Sequence, residues 1–293
     1  MPLALELAGA VAVVTYMLKT GLATPRGRLR EVARQRAPEL ARAIVIMLVL
    51  GPLLARLLVA VFALPVRPAA AIVLLSLAGV VPLASRGARS ARADVSFAVL
   101  LTAALGAVAA FTAAPTTRLL LGYRGPLHVR TGALLLQVVL LQALPLAAGI
   151  LVRSKTERAR TLERALGVLD AIVLVAIFAG ALVLVPRTGA VRSLGWNGAL
   201  AAAVFAVLIA VAGWLLAGPR ASERRTLAAV ANMPNVVLAV LVVTGAGVDA
   251  GFVVAVVGAF LVRLFVGLAI QKVLASAEHF RHAAWRRRAR STA

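Results

Sequence analysis

Two asparagines flank a proline in Ala231-Asn232-Met233-Pro234-Asn235, inside a run that is otherwise apolar. Proline removes a backbone donor and frees a carbonyl one turn earlier, so a helix through this stretch should break or kink. Asn232 and Asn235 can then satisfy the loosened backbone or face a bound solute. Alternatively, they can lock helices together through interhelical hydrogen bonds. A second interruption stands about 150 residues earlier, where Gly79, Pro82, Ser85 and Gly87 break an apolar run. Two interrupted helices in corresponding halves of a membrane protein point to a binding site at the bilayer midplane. Half-helix N-termini carry partial positive charge and free amides, which suits an anion. Thr102 is a further polar candidate, although a threonine in a membrane helix commonly bonds its own backbone.

Other polar groups within apolar runs are few. Gln137 and Gln142 read as interhelical glue, and Asp170 as a residue near the inner interface. Arg263 lies near enough to a helix end to snorkel. Arg56 sits deeper, so it either packs against a carbonyl partner or meets an anion. Enzyme signatures are missing: there is no HExxH, no Walker lysine, no GxSxG elbow and no Asp-rich pair. His128, His279 and His282 are scattered over a loop and the tail. No selectivity-filter sequence supports a channel, and the absence of cysteine excludes thiol nucleophiles and Cys-based metal sites.

These candidates need elements to hold them, and composition says which kind. Of 293 residues, 62% are apolar and only 14% charged, with the charges gathered between long apolar runs. Lipid is the natural solvent for such a chain. The net charge of +22 lies at the flanks of these runs and not on a soluble basic face with aromatic readers, which argues against nucleic acid as a partner. A span needs about 20 apolar residues. Breaks at charge clusters and Pro/Gly pairs give nine segments: 4–23, 43–64, 68–85, 94–121, 130–152, 165–186, 194–217, 225–246 and 248–274. Ala- and Leu-rich runs of this length lack the alternation of a membrane β-barrel. The expected fold is therefore all-α, a single transmembrane domain over 1–293. Glu6 precedes the first apolar segment with no basic region before it, so the segment reads as a span and not as a cleaved signal.

Alternate connections hold 24 of the 32 basic residues, from Lys19–Arg42, Arg86–Arg92, Arg153–Arg164, Arg220–Arg225 and the tail. Cytoplasmic loops retain Lys and Arg, so this places the N-terminus outside and the C-terminus in the cytoplasm. The stretch from Thr24 to Arg42 is basic and amphipathic, either an interfacial helix or a solvated inner loop. The tail, with Trp285 among arginines, reads as a headgroup anchor. Ala- and Arg-rich usage suggests a bacterial inner membrane.

Several motifs resemble, in order, those of the bile acid:sodium symporter family. They are Tyr16-Met17-Leu18-Lys19-Thr20-Gly21-Leu22, Gly51-Pro52-Leu53-Leu54, Ala93-Asp94-Val95-Ser96-Phe97-Ala98-Val99 through Thr102, and Leu144-Pro145-Leu146 with Gly149 and Arg153. Glu223-Arg224-Arg225-Thr226 followed by Asn232-Met233-Pro234-Asn235 completes the series. The resemblance implies an inverted-repeat transporter in which a core domain carries two crossing, unwound helices, here spans three and eight, and moves against a panel domain. It also implies a small organic anion as substrate, alternating access and sodium coupling. On this alignment Asn235 falls on a substrate-facing asparagine and Thr102 on a sodium-ligating threonine. Asn232, Pro234 and Ser85 join them as substrate-site candidates. The family's acidic residue falls on Val230, its glutamine on Pro234, and its Ser-Asn pair near Ala84 and Ser85. Only Thr102 and carbonyls such as those of Ala231 and Met233 are then left for sodium, so weak sodium dependence is expected. Two readings compete: a proton-coupled or auxin-efflux-carrier-like carrier using Asp94 or Asp170, and a membrane scaffold of the same fold that no longer transports.

Overall fold

The computed structural model describes residues 2–24, 27–78, 84–121, 139–156, 158–169, 190–236 and 250–291, with 132, 136, 171, 172, 175, 239, 240 and 243 between them. The chain is an all-α membrane protein, with no strand among the described residues. Its helices are α1 Pro2–Ala23, α2 Arg28–Gln35, α3 Ala37–Val61, α4 Val66–Leu77, α5 Ala84–Ser90, α6 Val95–Leu121, α7 Leu144–Lys155, α8 159–169, α9 Ala190–Leu216, α10 Ala221–Val230 and α11 Ala250–Ser291. Ala37–Val61, Ser193–Leu216 and Gly251–Ser276 are each long and apolar enough to cross a membrane. Ala10–Ala23, Val66–Leu77 and Val95–Gly106 are shorter apolar helices. The first part of the expected fifth span and most of the sixth fall outside the described residues, as do Gln137, Asp170 and His128.

Helix faces match a lipid solvent. On α3, Val45, Val49, Leu53 and Leu57 recur every four residues and are all more than half exposed, which leaves an apolar stripe that water would penalise and lipid does not. Trp196, 80% exposed at the start of α9, has the amphipathic ring of an interfacial anchor. The stretch from Thr24 to Arg42 resolves into α2 and the first turns of α3. α2 buries Val32 and presents Arg30, Glu31, Arg34 and Gln35.

Two prolines are absorbed without breaking their helices. A π-helical turn, Ile46–Leu50, lies directly before Gly51-Pro52, and another, Val139–Ala143, directly before Leu144-Pro145. A widened turn relieves the clash between a proline ring and the carbonyl four residues back.

The helices pack as two groups. One continuous core joins α2 through α6, α9, α10 and α11, and includes Ile72, Leu75, Phe97, Leu101, Phe205, Ile209 and Leu227. No residue of α1 or α7 belongs to it. Those two helices pack on each other around Val13, Met17 and Leu146. Gly21 and Gly149 let their backbones touch: a Cβ built on Gly149 would stand 2.8 Å from the Cα of Gly21. Arg153 closes the pair by donating from its guanidinium to the Leu22 carbonyl at 2.6 Å.

Candidate functional site

Both expected interruptions fall at helix ends. α4 stops at Leu77 and the chain resumes as α5 at Ala84; Gly79 and Pro82 lie outside the described residues. α10 stops at Val230, and the residues from Ala231 to Asn235 are not helical. There the Met233 amide turns back to the Val230 carbonyl at 3.0 Å, and among the described residues a regular helical bond is next seen at Ala239, whose N–H donates to the Asn235 carbonyl. Pro234 has no amide with which to continue the ladder. Each stop strands the carbonyls of a last turn, which need partners from elsewhere.

Arg263 supplies one to each. From α11 its Nη1 donates to the Leu75 carbonyl and its Nη2 to the Ala231 carbonyl, both at 3.1 Å. The two breaks are thus joined by a single planar guanidinium, which brings these carbonyls within about two helical turns (~11 Å) of each other. The guanidinium carbon lies 4.4 Å from the Phe205 ring centroid, and the residue is 1% exposed. This corrects the expectation that Arg263 snorkels. It lies on a stripe at four-residue spacing, Ala255, Ala259, Arg263, Gly267 and Gln271, all buried and mostly small, so its side chain points into the protein. Arg56 is corrected in the opposite sense. It shares the exposed face of α3 with Leu53 and Leu57, so it is not a buried packing residue.

The other candidates gather around the breaks in different ways. Asn232 is buried, donates through Nδ2 to the Ala206 carbonyl of α9 at 2.8 Å, and leaves Oδ1 without a hydrogen-bond partner among the described residues. Gly267 makes room for it, since a Cβ there would sit 2.9 Å from the Asn232 Cβ. Asn235 is 2% exposed beside the same break. Ser85, at the start of α5, shares a hydrogen bond with the hydroxyl of Tyr16 from α1, so it joins the two helix groups. Thr102 is buried and donates to its own helix at the Ala98 carbonyl, 2.9 Å away. Of the carbonyls expected to hold sodium, that of Ala231 is taken by Arg263. Met233 packs beside Gly87 of α5, where an added Cβ would stand 3.1 Å from its methyl carbon. Gln142 is buried against Gly106 of α6, a second contact between the two groups.

A charged cluster fixes the far ends of the broken helices. Asp94 caps α6, accepting from the Phe97 amide at 3.0 Å, and pairs with Arg36 at 2.9 Å. Arg36 also reaches Glu223 of α10 at 3.5 Å, and Arg220 reaches the same carboxylate oxygen at 3.1 Å. The Asp94 amide donates to the Thr226 hydroxyl. Asp94 is therefore engaged as a cap and ion-pair partner. Arg36 was legible in the sequence only as a member of a basic flank, and Glu223 only as part of the Glu223-Arg224-Arg225-Thr226 motif in another such flank. Nothing in those flanks marks Glu223 as fully buried.

Among curated proteins, none matches this chain. Its residues 10–192 match the sodium bile acid symporter family, and that stretch holds most of α1, all of α2 through α8, both proline-bearing π turns and the first of the two breaks. With more than half of its length matched, the chain belongs to the sodium bile acid symporter family.

Proposed function

We propose that this protein is a secondary transporter of small organic anions, working by movement of the larger helix group against the α1–α7 pair around the two breaks. The observation that carries this reading is the pair of interrupted helices held together through Arg263. Fixed positive charge at the breaks favours an anionic solute, and Asn235 beside them offers both a donor and an acceptor. Sodium dependence is weak on this reading. A dehydrated cation needs oxygen donors in place of its water, and Val230 and Pro234 provide neither a carboxylate nor a side-chain amide. Proton coupling through Asp94 finds no support, because that carboxylate is held by Arg36 and the α6 amides.

Reconstitution into proteoliposomes with a panel of organic anions tests the proposal. Accumulation should be the same within about twofold when sodium is exchanged for choline. Asn235→Ala should weaken anion binding by roughly 10- to 100-fold, since a lost buried hydrogen bond costs about 1–3 kcal/mol. A strict sodium requirement would sink the first expectation, and unchanged affinity the second. A folded protein inert to the whole panel would favour the scaffold reading.

The proposed topology places the N-terminus outside, the C-terminus in the cytoplasm and the protein in a bacterial inner membrane. Its support is the basic bias of alternate connections. Single cysteines at Ser90 and Arg192 should label with an impermeant thiol reagent from the cytoplasmic and outer sides respectively; the reverse pattern overturns it.

A further inference from the structure

We infer that the Arg263 guanidinium is a resident cation, standing at the junction of the two broken helices in the place that a bound inorganic cation would otherwise hold. The inference rests on reading the two breaks as the transport centre. The C-terminal ends of α4 and α10 both meet this side chain. Such ends carry partial negative charge from their unpaired carbonyls, and in broken-helix transporters they are the groups that coordinate a small cation. Two of them brought together repel unless a positive charge lies between.

The way Arg263 is held separates this role from ordinary packing. Buried arginines normally face a carboxylate, yet Arg263 makes no ion pair among the described residues. Its charge is met by two main-chain carbonyls at 3.1 Å and the face of Phe205 at 4.4 Å. Main-chain oxygens of this kind are donors that a bound ion also uses, here with a cation–π face in addition. The planar fork of the guanidinium spans both carbonyls at once, which a single-point ammonium does not. One residue beyond Ala231, the unpartnered Oδ1 of buried Asn232 is a further oxygen donor at the same break. Being covalently tied to α11, this cation stays with the protein through a transport cycle and contributes no ion gradient to it.

Cation binding and thermal midpoints of the purified full-length protein test this without any transport substrate, so a failure to find anion uptake would end the transport reading and leave this result standing. Wild type should bind no sodium-22 saturably up to about 100 mM, and its midpoint should be the same in sodium chloride and choline chloride. Arg263→Ala should unfold at a lower temperature in choline. It should regain about 3 °C or more in at least one of sodium, potassium or methylguanidinium chloride at equal ionic strength, because a ligand that binds only the folded state stabilises it by mass action. Saturable sodium binding to wild type overturns the inference, as does a folded Arg263→Ala protein indifferent to all three cations. Should Arg263→Ala fail to fold, sodium-22 binding to wild type decides alone: its presence overturns the inference and its absence upholds it.

Discussion

Gly149→Leu should lower the thermal midpoint of the purified protein by about 5–10 °C, the consequence of roughly 2–3 kcal/mol of overpacking in a chain of this size. A Cβ on Gly149 would stand 2.8 Å from the Gly21 Cα and 2.8 Å from the Leu22 amide nitrogen, with the Leu18 carbonyl oxygen closer still. All three are main-chain atoms, so no rotamer change relieves the contact. α1 and α7 would have to separate, and among the described residues their shared buried cluster is small and distinct from the main core. Close approach at small residues is the main source of helix association in lipid, where burying apolar surface gives no net gain. The separation would also strip the Leu22 carbonyl of its bond from Arg153. Gly132→Ala is the matching control, since a Cβ there meets nothing within 4 Å among the described residues, and its midpoint should stay within about 1 °C of wild type. A Gly149→Leu midpoint equal to that of the control would show that the two helices are not held by this contact.

What the sequence made legible was decided by which signals act along the chain and which act across it. Proline and asparagine change backbone bonding locally, so the interruptions around Pro82 and Pro234 could be placed from the residues themselves, and both lie where helices stop. Apolar run length and basic flanks are also local, and they gave the helical membrane class. The orientation of a side chain around a membrane helix is a different matter. In water, polar residues mark the outer face of a helix; in lipid, both faces are apolar and the contrast vanishes. For that reason Arg56 and Arg263 were assigned opposite environments from the ones they have. The signal that separates them is size and not polarity. Arg263 lies in line with Ala255, Ala259 and Gly267, where helices approach closely, whereas Arg56 lies among the leucines of the lipid-facing stripe.

The site shows the same division. Asn232 and Thr102 were read as either structural or functional, and each donates its side-chain hydrogen to a main-chain carbonyl, Asn232 across to α9 and Thr102 within α6. The expected cation donors were chosen by matching motif positions, which identifies oxygens but not what fills the space between them. That a residue 32 positions further on brings its own charge to the Ala231 carbonyl is a tertiary fact. The Tyr16–Ser85 bond is tertiary in the same sense, joining residues 69 apart on helices of different groups.

Glu223→Ala should be the second large effect, a loss of about 2–3 kcal/mol. Removing one member of a buried ion pair typically costs 3–5 kcal/mol by leaving its partner uncompensated. Here the loss is moderated because Arg36 keeps Asp94 at 2.9 Å and has a side chain 19% exposed. Arg220, 63% exposed, turns to water and adds little of its own. Glu223 itself is 0% exposed, so its removal also opens a cavity at the start of α10, beside the turn where Gly218 holds a φ of +142°. The damage should reach the site, because Thr226 directly and Glu223 through Arg36 tie the helix leading into the second break to Asp94, which caps α6, the next helix after α5. A double-mutant cycle isolates the charge interaction from the cavity. Arg36→Ala and Glu223→Ala should each destabilise the protein, while the double variant should be less destabilised than their sum by about 1–2 kcal/mol, as expected of residues in one network. The coupling should also change little between low and high salt, since a buried pair is poorly screened. Strict additivity of the two substitutions would mean that Arg36 and Glu223 act separately, and that α10 is positioned by packing alone.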